Sequence, residues 1–250
     1  MIYRAKSNVR FGSVSLSNYN AFALWTNIFE QASRDVTSVS ITGRNGDLLF
    51  DNGRYRNCER QYVIYVTMDS TLPESATNNG IYFANRLIAA LQRQTGYQRL
   101  EDDYDADVYM MAYLSKSPDV VSWRGDDVTL AVTFTRKPQK FLKSGETRVS
   151  YSNGDALVNQ TNFIALPLVR VYGTGSGTVS IGSETIQVSN ISSYIDIDCE
   201  SQNAYKGTQN QNSKINLVSG DFFALMPNSN GISFAGDITK VDITARWWTL

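Results

Sequence analysis

Histidine is absent from this chain of 250 residues. That removes the commonest general base and the commonest metal ligand, and it rules out Ser-His-Asp and Cys-His catalysis within the chain. Cysteine is scarce. Cys58 and Cys199 stand far apart, so they make neither a disulfide framework nor a C-x-x-C metal site. Two reduced, largely buried thiols in a protein made in a cytoplasm are the expectation. No excess of charge of one sign is present: formal net charge is -1. Residues 1–136 hold 14 basic and 15 acidic side chains and residues 137–250 hold 9 of each, so neither half carries a field drawing it to nucleic acid or an anionic membrane. No apolar run is long enough to span a bilayer, and Met1-Ile2-Tyr3-Arg4-Ala5-Lys6 lacks the apolar centre of a signal peptide. Synthesis without export is the expectation.

What is present is core-forming material. Hydrophobic residues make up 42% and charged residues 19%, which argues against disorder. The length suits one large or two ordinary domains. The organising stretch runs over 38–53, S-V-S-I-T-G-R-N-G-D-L-L-F-D-N-G. Val36, Val39 and Ile41 lead into Asn45-Gly46, and Leu48, Leu49 and Phe50 lead away. Asn-Gly predicts a hairpin closed by a two-residue type I′ turn, because both residues accept positive φ. Asp51-Asn52-Gly53 signals a second turn. Such a hairpin either packs on its own domain or reaches out to a neighbour's open strand edge.

The rest of the first half reads as strands and one helix. Residues 10–16 suggest a short strand, and 21–29 fit strand or helix. Residues 55–68 are apolar on both faces, as in a central buried strand. Asn78, Asn79 and Gly80 supply an N-cap region. Ile81, Ala84, Leu87, Ile88 and Leu91 then recur at helical spacing, and Gly96 stops the helix. Residues 108–114 and 128–134 read as further strands. Residues 1–136 therefore predict an α+β domain, a split antiparallel β-barrel or sheet with one helix and a β-hairpin arm over 36–53. The charged stretch 137–145, with Pro138 and Gly145, reads as a linker. Beyond it, short strand-like runs punctuated by Gly, Asn and Ser at 163–172, 177–181, 186–188, 194–197, 215–217, 222–226, 232–234 and 241–248 predict an all-β sandwich over 146–250.

Candidate chemistry is thin. Asp103, Asp105 and Asp107 alternate like the opening of a calcium loop, but the sixth position is Val108 and the twelfth Leu114, which breaks the motif. A solvated acidic connection is the simpler reading. Glu101 and its neighbours, or Asp196 and Asp198, offer no cleft that would make them a glycosidase pair. Gly173-Thr174-Gly175-Ser176-Gly177-Thr178 lacks the third glycine of a dinucleotide loop and leads into strand, so a glycine-rich hairpin turn explains it. Adjacent Trp247 and Trp248 point to opposite faces of a strand, one for the core, the other for an edge, a neighbour or a sugar ring.

Four stretches in order resemble the distal tail protein (Dit) family of long-tailed bacteriophages and prophages. Val39-Ser40-Ile41-Thr42-Gly43-Arg44-Asn45-Gly46-Asp47-Leu48 resembles its hairpin motif V-x-x-x-G-R-N-G-D-L. Residues 137–146 resemble its junction between halves. Ile195-Asp196-Ile197-Asp198 followed by Tyr205 resembles its I-D-x-E…Y segment. Thr244-Ala245-Arg246-Trp247-Trp248-Thr249-Leu250 resembles its closing T-P-R-W-W-x-L, with Ala245 in place of Pro. The resemblance implies a virion protein at the tail tip: a ring, hexameric in the family, that continues the tail tube. It implies a galectin-like sandwich in the second half. The expected partners are further copies of itself, the tail tube protein, tail-tip or tail-associated proteins, and receptor-binding or baseplate proteins, with a host surface glycan as a further candidate. DNA would pass through the ring without specific binding. No catalytic, metal or cofactor residue is implied. The expected oligomer interface is Val39, Ile41, Arg44, Asn45, Gly46, Asp47, Leu48, Leu49 and Phe50. The competing readings are a stand-alone carbohydrate-binding module and, behind it, a glycan-degrading tail enzyme using Glu and Asp.

Overall fold

A computed structural model describes residues 6–24 and 30–250. It divides into two compact units, with the division in sequence between Lys140 and Phe141. The chain is mostly β, with one α-helix among the described residues. Of the run 21–29, residues 21–24 form a strand, and the rest lies outside the described residues.

In the first unit the elements are β1 (Lys6–Ser7), β2 (Val9–Phe11), β3 (Val14–Ser15), β4 (Ala21–Leu24), β5 (Arg34–Val39), β6 (Leu48–Tyr55), β7 (Cys58–Val66), α1 (Gly80–Gln92), β8 (Gln98–Asp102), β9 (Val108–Leu114), β10 (Asp119–Arg124) and β11 (Asp127–Leu142). The main sheet runs β1-β4-β7-β11-β9-β8-β2-β3, an open path, while β10 pairs with β11 off that path. The two-residue period explains the pairing. On β7, Tyr62, Ile64 and Val66 turn inward, and across the antiparallel ladder Val132, Leu130 and Val128 of β11 meet them on the same face. Helix α1 covers this core with Ala84, Leu87 and Leu91. Burying one such leucine contributes about 1.5–3 kcal/mol. The Asn79 side chain caps the helix, accepting from the Tyr82 amide at 2.8 Å. Two members of the expected stripe depart from it: Ile81 is exposed and Ile88 only half-buried.

The second unit holds β12 (Arg148–Tyr151), β13 (Ala156–Asn159), β14 (Leu168–Ile181), β15 (Glu184–Asp198), β16 (Asn203–Lys206), β17 (Gln209–Asn210), β18 (Ile215–Leu217), β19 (Asn228–Thr244) and β20 (Trp248–Thr249). Its strands pair in the order β12-β19-β14-β15-β16-β17, with β13 on β19 and β18 on β15. Most of the expected short runs are halves of three long strands. The glycine-rich stretch 173–178 is not a hairpin turn. It lies inside β14, where the register shifts between Gly175 and Gly177. A Cβ on Gly173 would fall 2.3 Å from the Asp237 carbonyl oxygen, and one on Gly177 would fall 2.3 Å from that of Ala235. Glycine is needed there because β19 approaches too closely for any side chain. Residues 222–226 form no strand; only Leu225 bridges, to Ala165. The stretch expected as a linker is ordered backbone: β11 continues to Leu142, and a 3-10 turn spans Lys143–Glu146. Both ends of the long strands feed one core, Val179, Ile186 and Val188 from one end, Val171, Ile195 and Val241 from the other.

Candidate oligomer interface

Strands β5 and β6 form a sheet of their own, paired with no other strand among the described residues. Register aligns Val39 with Leu48, Ser38 with Leu49, Thr37 with Phe50 and Val36 with Asp51. Directly paired residues share a face, so Val39, Leu48 and Phe50 lie on one side and Val36 and Leu49 on the other. Both sides of the arm are therefore apolar, and Leu49 and Phe50 remain 65% and 52% exposed.

The closing loop differs from the expected two-residue turn. Pairing stops at Val39 and Leu48, leaving eight residues, Ser40, Ile41, Thr42, Gly43, Arg44, Asn45, Gly46 and Asp47, between the strands. Gly43 and Gly46 both take positive φ, +82° and +80°. The Arg44 amide donates to the Ile41 carbonyl at 3.1 Å, making the first turn at 41–44. The Ser38 hydroxyl donates to the Asp47 carboxylate and ties the loop's base. Asn45-Gly46 is thus the second bend of a longer loop. Ile41, expected on a strand, sits in that loop, exposed. Asp51-Asn52-Gly53 likewise makes no chain reversal. It is an irregularity within β6, where Gly53 has φ +71° and its amide donates to the Asp51 carboxylate at 2.8 Å.

Ion pairs fix the arm's base. Arg54 and Arg56 grip the two oxygens of Asp35 at 2.7 and 2.8 Å, and their hydrogen bonds hold that carboxyl down at about 2. Arg34 meets Asp51 at 2.7 Å and lies 5.0 Å over the Tyr55 ring; it lowers the Asp51 carboxyl as well. The polar base is locked while the apolar blade is bare. Such a blade suits docking, not chemistry.

Elsewhere the structure rearranges what the sequence offered. Asp103, Asp105 and Asp107 are exposed, as a solvated connection requires, but Asp102 beside them is not. Asp102 is buried: Arg60 donates to it at 2.9 Å and the Tyr62 hydroxyl at 2.5 Å. Its other oxygen caps a 3-10 turn, accepting from the amides of Tyr104 and Asp105. Burial beside this carboxylate pushes the Tyr62 phenol far above its ordinary value. Arg136, fully buried, donates to the carbonyls of Glu30, Lys137 and Pro138, and desolvation lowers its pKa. These groups hold strands together. In the second unit Asp196 is clamped by Arg170, and Asp198 by Arg246. Trp247 and Trp248 both pack against the core. The Trp248 indole N–H donates to the Ile164 carbonyl at 2.8 Å and its ring stacks on Phe163. Burial pushes the Cys199 thiol up to about 12.

No family model matches this chain, and no curated protein sequence does either. Solved structures do match. The fold is that of a phage tail hub protein. One crystal structure it matches is that of SPP1 Dit (gp 19.1), described as a paradigm of the hub adsorption apparatus in phages infecting Gram-positive hosts. The match covers 98% of this chain and 99% of that one at a TM-score of 0.71 and 12% sequence identity.

Proposed function

We propose that this chain is a structural component of a phage tail whose copies close into a ring. The ring, of six by the family resemblance, sits at the distal end of the tail tube and joins the tube to tail-tip, baseplate and receptor-binding proteins. The first unit is the α+β ring-forming domain and the second the galectin-like sandwich. The protein makes and breaks no bonds; its work is to hold others in place.

The observation that carries this reading is the bare arm. An isolated two-stranded hairpin is marginal in water, and this one exposes apolar side chains on both faces. It needs a partner surface, and the fold shared with a phage tail hub protein supports a further copy of this chain as its source. A contact between unlike patches on successive copies is heterologous, and it closes into a ring when the rotation permits. Obligate contacts of this type bury upwards of about 2,000 Å².

The arm is therefore required for assembly. Deleting residues 39–50, or replacing Leu49 and Phe50 with aspartate, is expected to yield soluble monomers by light scattering, with a mass no greater than about that of the single 27.9 kDa chain, against assembled wild-type protein. Undiminished assembly of these variants overturns the reading.

A further inference from the structure

The inward face of the first unit changes character toward one end. On β11, Val128, Leu130, Val132 and Phe134 turn into the core, and the next residue in step is the fully buried Arg136. On β7, Val66, Ile64 and Tyr62 do the same, and Arg60 and Cys58 follow. Register sets the two changes side by side: Arg60 pairs with Phe134, and Cys58 with Arg136. A strand face turned to the core is ordinarily apolar along its length. A break in that pattern on two paired strands at once points to a use other than packing. A cavity of about 210 Å³ opens at this end, with Arg60, Asp102, Tyr104, Asp105 and Lys140 among the residues lining it.

The charges around this cavity are not matched by those of the chain. Asp102 accepts from Arg60, from the Tyr62 hydroxyl and from the amides of Tyr104 and Asp105. A carboxylate offers about four lone-pair sites, so these donors fill it. Arg136 donates to three carbonyls, and its Nε is buried with no hydrogen-bond partner among the described residues. Lys140 is half-buried, and neither it nor Arg136 forms an ion pair among the described residues. Burial and the neighbouring Arg136 guanidinium hold the Lys140 ammonium below its ordinary value. Of the remaining acids, Asp105 stands out in solvent, and Glu30 is half-buried with its carboxyl raised by that burial. A partly desolvated ammonium without a counter-charge is costly, and an anion beside it removes the cost.

We propose that this cavity binds a small oxyanion of the phosphate class, with Lys140 as its principal cation. The space admits one: at about 30 Å³ per water, the cavity matches roughly seven waters, enough for a phosphate and part of its hydration. Every residue named lies in the first unit of a single chain, so the proposal stands apart from the ring reading.

Isothermal titration calorimetry of the full-length chain with inorganic phosphate, at an ionic strength held constant with chloride, tests it. One saturable site per chain is expected. Lys140→Met should weaken binding about tenfold or more, the loss of one hydrogen bond to a charged group, whereas Lys140→Arg, which keeps the charge, should still bind. Lys116→Met removes an exposed lysine of the same unit and should leave binding unchanged. Lys140 leaves no ion-pair partner stranded, so Lys140→Met in chloride should unfold within a few degrees of wild type. Added phosphate should raise the unfolding midpoint of the wild type and not that of Lys140→Met. A wild-type chain that shows no saturable phosphate binding overturns the proposal. So does binding that Lys140→Met leaves intact, or that Lys116→Met weakens equally, because either result puts the ion on the surface at large.

Discussion

Asp102 sits in a run of acidic residues, L-E-D-D-Y-D-A-D, yet it alone of the aspartates there is buried, under Arg60 and Tyr62. The clue in the sequence is its distance from Leu100: two residues along a strand is one step on the same face, and Leu100 is in the core. Nothing local announces that Arg60, 42 residues away, will arrive to meet it. Removing one member of a buried pair leaves the other charged and uncompensated. Asp102→Ala is therefore expected to cost about 3–5 kcal/mol, read from denaturant unfolding. A loss under about 1 kcal/mol, the range of an exposed pair, would show that Asp102 is solvated after all.

The arm shows how far short-range signals reach at the scale of an element. Strands β5 and β6 were legible because apolar residues flank a glycine-containing bend. The bend itself departs from a two-residue turn, since Gly43 also turns and the Ser38–Asp47 contact closes a loop of eight residues. The glycines of β14 depart from a turn for a related reason. Their meaning depends on how near β19 comes, and that strand lies some sixty residues further on. Helix α1 was the easier element, having both a cap and a periodic face. At the arm's base, Asp35 has its carboxyl depressed to about 2 by Arg54 and Arg56, against about 3.9 for an unfolded aspartate. The depressed value means that its contribution is complete above about pH 4 and is lost as pH falls toward 2. Amide protection in β5 and β6, corrected for intrinsic exchange, should hold steady from neutral pH to about 4 and fall below it. Protection in Asp35→Asn should be lower at neutral pH and flat across that window. Equal pH profiles for the two proteins would contradict the role given to these ion pairs.

On the scale of the molecule, the order of strands, one helix and more strands was visible in hydrophobic periodicity, because one buried face imposes a period of two or 3.6 wherever it exists. The candidate interface was visible in outline, since residues Leu48 to Phe50 form an apolar cluster beside turn residues. Strand β10 was not visible, because Val120, Val121 and Trp123 lie on a bulged strand that breaks alternation. Their exposure is a property of the folded unit and not of the string.

The central claim is closure of copies around a hole, and negative-stain electron microscopy of the purified full-length chain tests it most directly. Ring closure predicts annular particles with an open centre, six subunits around each, and their disappearance when residues 39–50 are deleted. Isolated compact particles, persisting at high concentration and in the presence of tail tube and tail-tip proteins, would contradict it.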